Sequence, residues 1–347
     1  MLIKEVFFLA IMDIKDFPVT QLLGSSVLFE ACMNGGKTES LILELKRAHY
    51  YGLNSIAYNH ERNIRERNAI VVDGKEHYPA RTVGSIAELR QDFEMRRKIL
   101  QSRQFAYKGV DEIIEIEGIP HVKGLPLSVW GADEINLFCL TEQEAKETVE
   151  FILWSKQQEL AGYNSGLLYD FRQREFKYVH AILPYIDIRQ EKKPACMALD
   201  AEARKCTNTA KHTQRVWSIE FVKETGLEAL LGEMEIVDFM DKDKKKSINQ
   251  YVAAPFFDQT LRIEEEKNKK VKYLPVCTSC AVLPYKEETF QVYDALKESR
   301  DIHVLNNPLL VKAIVDFLES EKWVKRDGDQ LIAVPHYKNR IGSFSAQ

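Results

Sequence analysis

Lys37 and Thr38 stand at the start of a helical pattern, directly behind the small-residue run Ala31-Cys32-Met33-Asn34-Gly35-Gly36, which itself follows the apolar segment Val27-Leu28-Phe29. A strand, a Gly-rich turn, Lys-Thr and a helix together describe a phosphate-binding loop. Glycines let backbone N–H groups converge on phosphate oxygens, and the helix N-terminus adds the positive end of its dipole. Asn34, Gly35 and Gly36 would form the cradle. Lys37 would reach the β/γ-phosphates of a bound nucleotide, and the Thr38 hydroxyl would enter a magnesium shell. Ala31 stands where the usual pattern opens with glycine. The plainer reading is a helix that begins after a Gly-Gly turn.

Two further constellations could do chemistry. Leu127-Ser128-Val129-Trp130-Gly131-Ala132 runs into Asp133-Glu134. An Asp at the C-terminal edge of a strand can hold magnesium beside a phosphate loop, and an adjacent Glu can serve as a general base. The second is a set of four cysteines, Cys277 and Cys280 as a C-x2-C pair, with Cys196 and Cys206 upstream. Four thiolates from two chain segments suit a closed tetrahedral structural zinc site. The spacing from Cys196 to Cys206 is wider than a usual zinc knuckle, and four reduced thiols are the alternative.

These residues need elements to hold them. The sequence predicts a strand at 27–29, a helix from Lys37 closed by Gly52, a second strand over 55–59, and a hairpin turning at Asp73-Gly74. A charged helix follows over 86–104, residues 105–125 carry no clear pattern, and the strand ending at Asp133 comes next. Thr141 and Glu144 form a capping-box signature for a helix over 141–158, and a buried strand over 159–169 leads into Asp170-Phe171-Arg172. Strands alternating with helices imply an α/β fold with a parallel sheet flanked by helices. Residues 286–347 read as two helices and a hairpin turning at Asp327-Gly328, a winged-helix-like order. The division expected is an N-terminal extension (1–25), a phosphate-loop α/β domain (26–195), a small zinc-binding domain with a long insertion (196–285) and a C-terminal α+β extension (286–347).

Composition narrows the function classes. The 347 residues are 45% hydrophobic with a net charge of −4, which suits a globular chain with a real core and gives no global basic field for nucleic acid or an anionic membrane. The lysine-rich runs 241–250 and 262–272 are interleaved with acids and read as solvated faces, so nucleic acid is only a weak candidate partner. The apolar stretch Val6–Met12 is too short to span a bilayer and lacks signal-peptide features, so no membrane association is expected and a cytoplasmic location is the default.

Taken in order, these blocks resemble the zinc-containing, P-loop thymidine kinases of the cellular and bacterial cytosolic class. The loop ACMNGGKTESL is followed by KRAHYYG, NHERN supplies Arg62, and VVDGK supplies the D-G turn. Asp133-Glu134-Ile135-Asn136-Leu137-Phe138 stands for the family's D-E-x-Q-F-F, and LLYDFRQREF for its L-D-x-D-F-R-x-x-P-F. Cys206 to Arg215 follows the frame C-G-x-x-A-x-x-T-x-R, and Tyr273 to Cys280 follows Y-x-x-V-C-x-x-C. The matches cover roughly residues 26–282.

The resemblance implies a kinase that moves the γ-phosphate of ATP to a nucleoside 5′-hydroxyl. Lys37 and Thr38 would serve phosphates and magnesium, Asp133 would sit in the magnesium shell and Glu134 would be the base. Arg62 would neutralise the transferring group, Phe171 would line the nucleoside pocket, and Tyr273 would belong to the loop that covers the base. It also implies structural zinc on Cys196, Cys206, Cys277 and Cys280, and a homotetramer. The chain departs from the family at Ala31, at Asn136 in place of Gln, and at His60 in place of an acid. A long stretch separates Arg215 from Tyr273, and the C-terminal extension has no recognised counterpart. Two alternatives stay open: the same scaffold phosphorylating a modified nucleotide or DNA, and a non-catalytic nucleotide-binding relative.

Overall fold

The computed structural model describes residues 17–63, 68–72, 76–240, 245–259, 261–298, 305–328 and 330–334. The apolar stretch Val6–Met12 and the Asp73-Gly74 turn lie outside the described residues. Two compact units emerge, residues 1–169 with 175–194, and residues 170–174 with 195–347.

The first unit is built on a seven-stranded sheet in the order β3-β4-β2-β7-β8-β1-β9. Its strands are β1 (Ser26–Glu30), β2 (Asn54–His60), β3 (Ala69–Val72), β4 (Glu76–Val83), β7 (Leu127–Ala132), β8 (Ala161–Gly166) and β9 (Ile188–Glu191). Every neighbouring pair is parallel except β3 with β4. The α/β class with a mostly parallel sheet is therefore as the sequence predicts. Central parallel strands are covered on both faces, which is why β1, β7 and β8 read as nearly continuous buried runs.

Helix α1 (Lys37–Tyr50) turns Leu41, Ile42, Leu45 and Ala48 into a core shared with Val27, Phe29, Ala57, Val129 and Tyr163. Gly131 makes this approach close: a Cβ there would meet Leu41 and Leu45 methyls at 2.9 Å. Helix α2 (Ile86–Leu100) starts at Ser85, whose side chain accepts from the Glu88 amide. Helix α3 (Glu142–Gln157) carries the full Thr141–Glu144 capping box. The stretch that showed no clear pattern holds a hairpin, β5 (Ile113–Ile116) with β6 (Ile119–Val122). Its two-residue turn places Glu117 and Gly118 at φ 47° and 75°, the left-handed pair that a tight hairpin needs.

In the second unit, β10 (His212–Ser218) lies between β13 (Tyr251–Ala253) and β14 (Val271–Val276), antiparallel to both. Between β10 and β14 the chain forms α4 (Ile219–Glu224), a short ribbon of β11 (Phe239–Met240) with β12 (Lys246–Ser247), then β13, and α5 (Ile263–Lys267). Then come α6 (Lys286–Lys297), α7 (Pro308–Ser320) and the hairpin of β15 (Val324–Asp327) with β16 (Gln330–Ala333), in the order the sequence predicts. Residues 286–334 share one core with this sheet: Trp217, Phe221, Phe256 and Val271 join Val292, Tyr293, Ile314, Phe317 and Trp323.

Candidate active site

Parallel order sets β7, β8 and β1 side by side with their C-terminal ends on one edge, the edge where open α/β sheets take ligands. Asp133 follows β7, Ser165 is the penultimate residue of β8, and the loop 31–36 follows β1. They meet at one carboxylate. Thr38 Oγ1 donates to Asp133 Oδ1 at 3.0 Å, and Ser165 Oγ makes a short hydrogen bond to the same oxygen. Burial, with Glu134 beside it, pushes the Asp133 carboxyl up to about 6, while the two hydroxyls and Lys37 pull the other way. Glu134 directly follows at φ 50° and caps the short 135–138 turn. The Lys37 ammonium is buried and donates to the Cys32 carbonyl at 3.1 Å, which closes the loop on itself.

The loop has the left-handed positions of an anion cradle, Asn34 at φ 59° and Gly36 at φ 78°. Ala31 sets its packing. A Cβ on Gly35 would lie 2.4 Å from the Ala31 methyl and 2.9 Å from the Cys32 carbonyl oxygen, so position 35 admits only glycine. The alanine is thus accommodated without removing the bend that follows it.

Arg62 is placed at the first turn of α3. Its guanidinium donates to Glu144 Oε1 at 2.9 Å and to the Leu137 carbonyl at 3.3 Å rather than to the loop. The departure at position 60 has a local explanation. His60 Nδ1 accepts from the Arg62 amide at 3.0 Å, the bond an acidic side chain would make in such a turn. Burial and the Arg62 charge lower this imidazole to about 4, so it is neutral and able to accept. Asn136 supports the site from below, its Oδ1 taking the Leu167 amide at 2.9 Å.

In the second unit, Phe171 and Tyr273 come together around Arg215. The Arg215 guanidinium lies 4.0 Å from the Phe171 ring centre and 5.1 Å from that of Tyr273, its partner across β10 and β14. Arg215 in turn is held by the buried Asp258 at 2.9 Å. Ser165 and Asp258 are residues that sequence reading missed. Neither carries a motif, since one lies within a buried strand and the other in a stretch without a template.

The four cysteines gather in the same unit, all four sulfurs within 4.8 Å of one another and Cys206 to Cys277 at 3.9 Å. The wide upstream spacing is closed by folding. Residues 196–206 turn back as a small hairpin, with Leu199 bridging Lys205 and the Cys206 amide on the Ala198 carbonyl. Thiolates around a tetrahedral zinc stand about 3.8 Å apart, from a Zn–S bond of about 2.3 Å, so this donor set fits the ion. The Cys277 amide and Asn208 side chain donate to sulfur, as donors do to thiolates.

No family model matches the chain. Over 195 residues, 56% of this chain and 77% of the relative, it is 29% identical to a thymidine kinase of Mesoplasma florum. The chain is similar to a thymidine kinase. Among the described residues no helix is long and apolar enough to cross a membrane.

Proposed function

We propose that this chain is an ATP-dependent thymidine or deoxynucleoside kinase. The observation that carries the reading is the convergence of Lys37, Thr38, Asp133 and Ser165 at the ends of three adjacent parallel strands. The loop amides and Lys37 would hold the β- and γ-phosphates, with Lys37 exchanging the Cys32 carbonyl for phosphate oxygen. Thr38 and Asp133 would hold magnesium, which supplies charge neutralisation on the transferring group when bound. Glu134 takes the proton of the nucleoside 5′-hydroxyl. The freed oxygen forms a bond to the γ-phosphorus, the bond from that phosphorus to the bridging oxygen breaks, and ADP leaves with the electron pair. Arg62 lies at the first turn of α3, and moving it to the transferring group would cost its pair with Glu144. Phe171 and Tyr273 would present aromatic faces to the base. Zinc on the four cysteines would be structural.

Two substitutions separate binding from turnover. Lys37→Ala should lower turnover by about a hundredfold or more, since one preorganised charge on a developing anion is worth that much. Glu134→Gln should leave ATP affinity within a few-fold while turnover falls by about a hundredfold or more. ATP titration and single-turnover kinetics check both. A Lys37→Ala protein near wild type refutes the phosphate-loop assignment, and parallel loss of binding and turnover in Glu134→Gln makes that residue structural.

A further inference from the structure

Phe171 sits in the turn Asp170–Arg174, and this turn is held by charges from two segments outside the ordered family motifs. Inside the turn, Asp170 Oδ1 accepts the Arg172 and Arg174 amides at 2.9 and 3.1 Å. The Arg172 guanidinium is fully buried, stacked between the Phe171 and Phe317 rings at 5.0 Å from each. Arg174 lies over Trp323 at 5.2 Å. Glu321, the residue that closes α7, faces both arginines, at 3.8 Å from Arg172 and 3.6 Å from Arg174.

Arg215, also over the Phe171 ring, is held by Asp258, which lies in the stretch between β13 and α5. The Asp258 carboxylate is completely buried and also accepts from Trp217 Nε1 at 2.9 Å and from Arg262 at 2.8 Å. Two arginines thus contact the Phe171 ring: Arg172, paired with Asp170 at 3.2 Å and facing Glu321 at 3.8 Å, and Arg215, paired with Asp258 at 2.9 Å.

We propose that Glu321 and Asp258 are positioning residues for the acceptor platform, so that the insertion and the C-terminal extension act to fix Phe171 against Arg215 and Tyr273. The inference rests on the nucleoside-kinase reading and deepens it, because it assigns a role to the two segments that have no counterpart in the family pattern. Neither carboxylate touches the reacting atoms. Their effect is on nucleoside affinity, and the phosphate-loop residues stay outside it. A buried guanidinium stacked on an aromatic face keeps that face while its charge is met, by Asp258 at Arg215 and by Asp170 together with Glu321 at Arg172 and Arg174.

The test uses the full chain and the variants Glu321→Gln and Asp258→Asn. Steady-state kinetics with thymidine and ATP are combined with amide hydrogen exchange over residues 168–176. Glu321→Gln should raise the thymidine KM about tenfold while kcat and the ATP KM stay within about twofold, and should speed exchange in the turn. Asp258→Asn removes the partner of a buried charge and can prevent folding. The partly exposed Glu321 variant keeps the proposal open to refutation in that case. Unchanged exchange overturns the inference, as do faster exchange with an unchanged thymidine KM and equal rises in both KM values. A wild-type chain that phosphorylates no nucleoside removes the kinase reading itself, and shows this before any substitution is made.

Discussion

Asp133 shows how a single side chain gathers the site. Its Oδ1 receives the Thr38 and Ser165 hydroxyls, and burial with Glu134 beside it raises its carboxyl to about 6. Lys37, Thr38, Asp133 and Glu134 stand out in the sequence because phosphate loops and strand-end acids impose residue types at fixed spacing. Ser165 could not, because a serine in a buried strand looks the same whether it faces an acid or a methyl group. His121 shows a buried titration of a different kind. It lies within β6 at 2% exposure, with neither ring nitrogen hydrogen-bonded among the described residues. Burial and Arg96 lower it to about 4 against the opposing pull of Asp92, both of them on α2. The folded pKa is below the unfolded value, so the contribution to stability is complete above about pH 6.5 and is lost as pH falls toward 4, up to about 3 kcal/mol. His60 carries a shift of the same sign. Denaturant titrations at pH 7 and 4.5 should show a smaller acid loss in His121→Leu than in wild type. An identical loss would assign the acid sensitivity elsewhere.

At the scale of the element, the sequence was legible wherever a motif fixes geometry locally. The Thr141–Glu144 capping box begins α3 as its spacing predicts, and Gly36 opens α1 in the left-handed region. The β5–β6 hairpin was hidden because its turn is Glu117-Gly118, outside the Asn-Gly and Asp-Gly signatures, although isoleucines flank it on both sides. The cysteine hairpin teaches the same lesson. The long gap from Cys196 to Cys206 looked wrong for a knuckle, yet the Leu199–Lys205 bridge folds it to the required length. Purified protein should therefore carry about one zinc per chain, and Cys277→Ser should lose it together with stability, since structural zinc contributes directly to folding. Metal analysis alongside thermal melting checks this, and full zinc retention in Cys277→Ser contradicts the four-thiol site.

For the chain as a whole, the parallel sheet was readable from the alternation of strands and helices. The place of residues 286–334 was not. Val292, Ile314, Phe317 and Trp323 share a core with Trp217 and Phe256, and an apolar helix face does not name its partner. Asp258 was unreadable for a related reason. A buried acid is defined by the arginines it meets, here Arg215 and Arg262, and sequence separation conceals those meetings. The proposed reaction is phosphoryl transfer to a nucleoside. Its most direct test is a transfer assay with magnesium and γ-labelled ATP on thymidine, deoxyuridine, deoxycytidine, dTMP and single- and double-stranded DNA, with Glu134→Gln as control. Label is expected on a free nucleoside, thymidine foremost, and none in the control. Label confined to dTMP or DNA, or no label while ATP still binds, would contradict the proposed reaction.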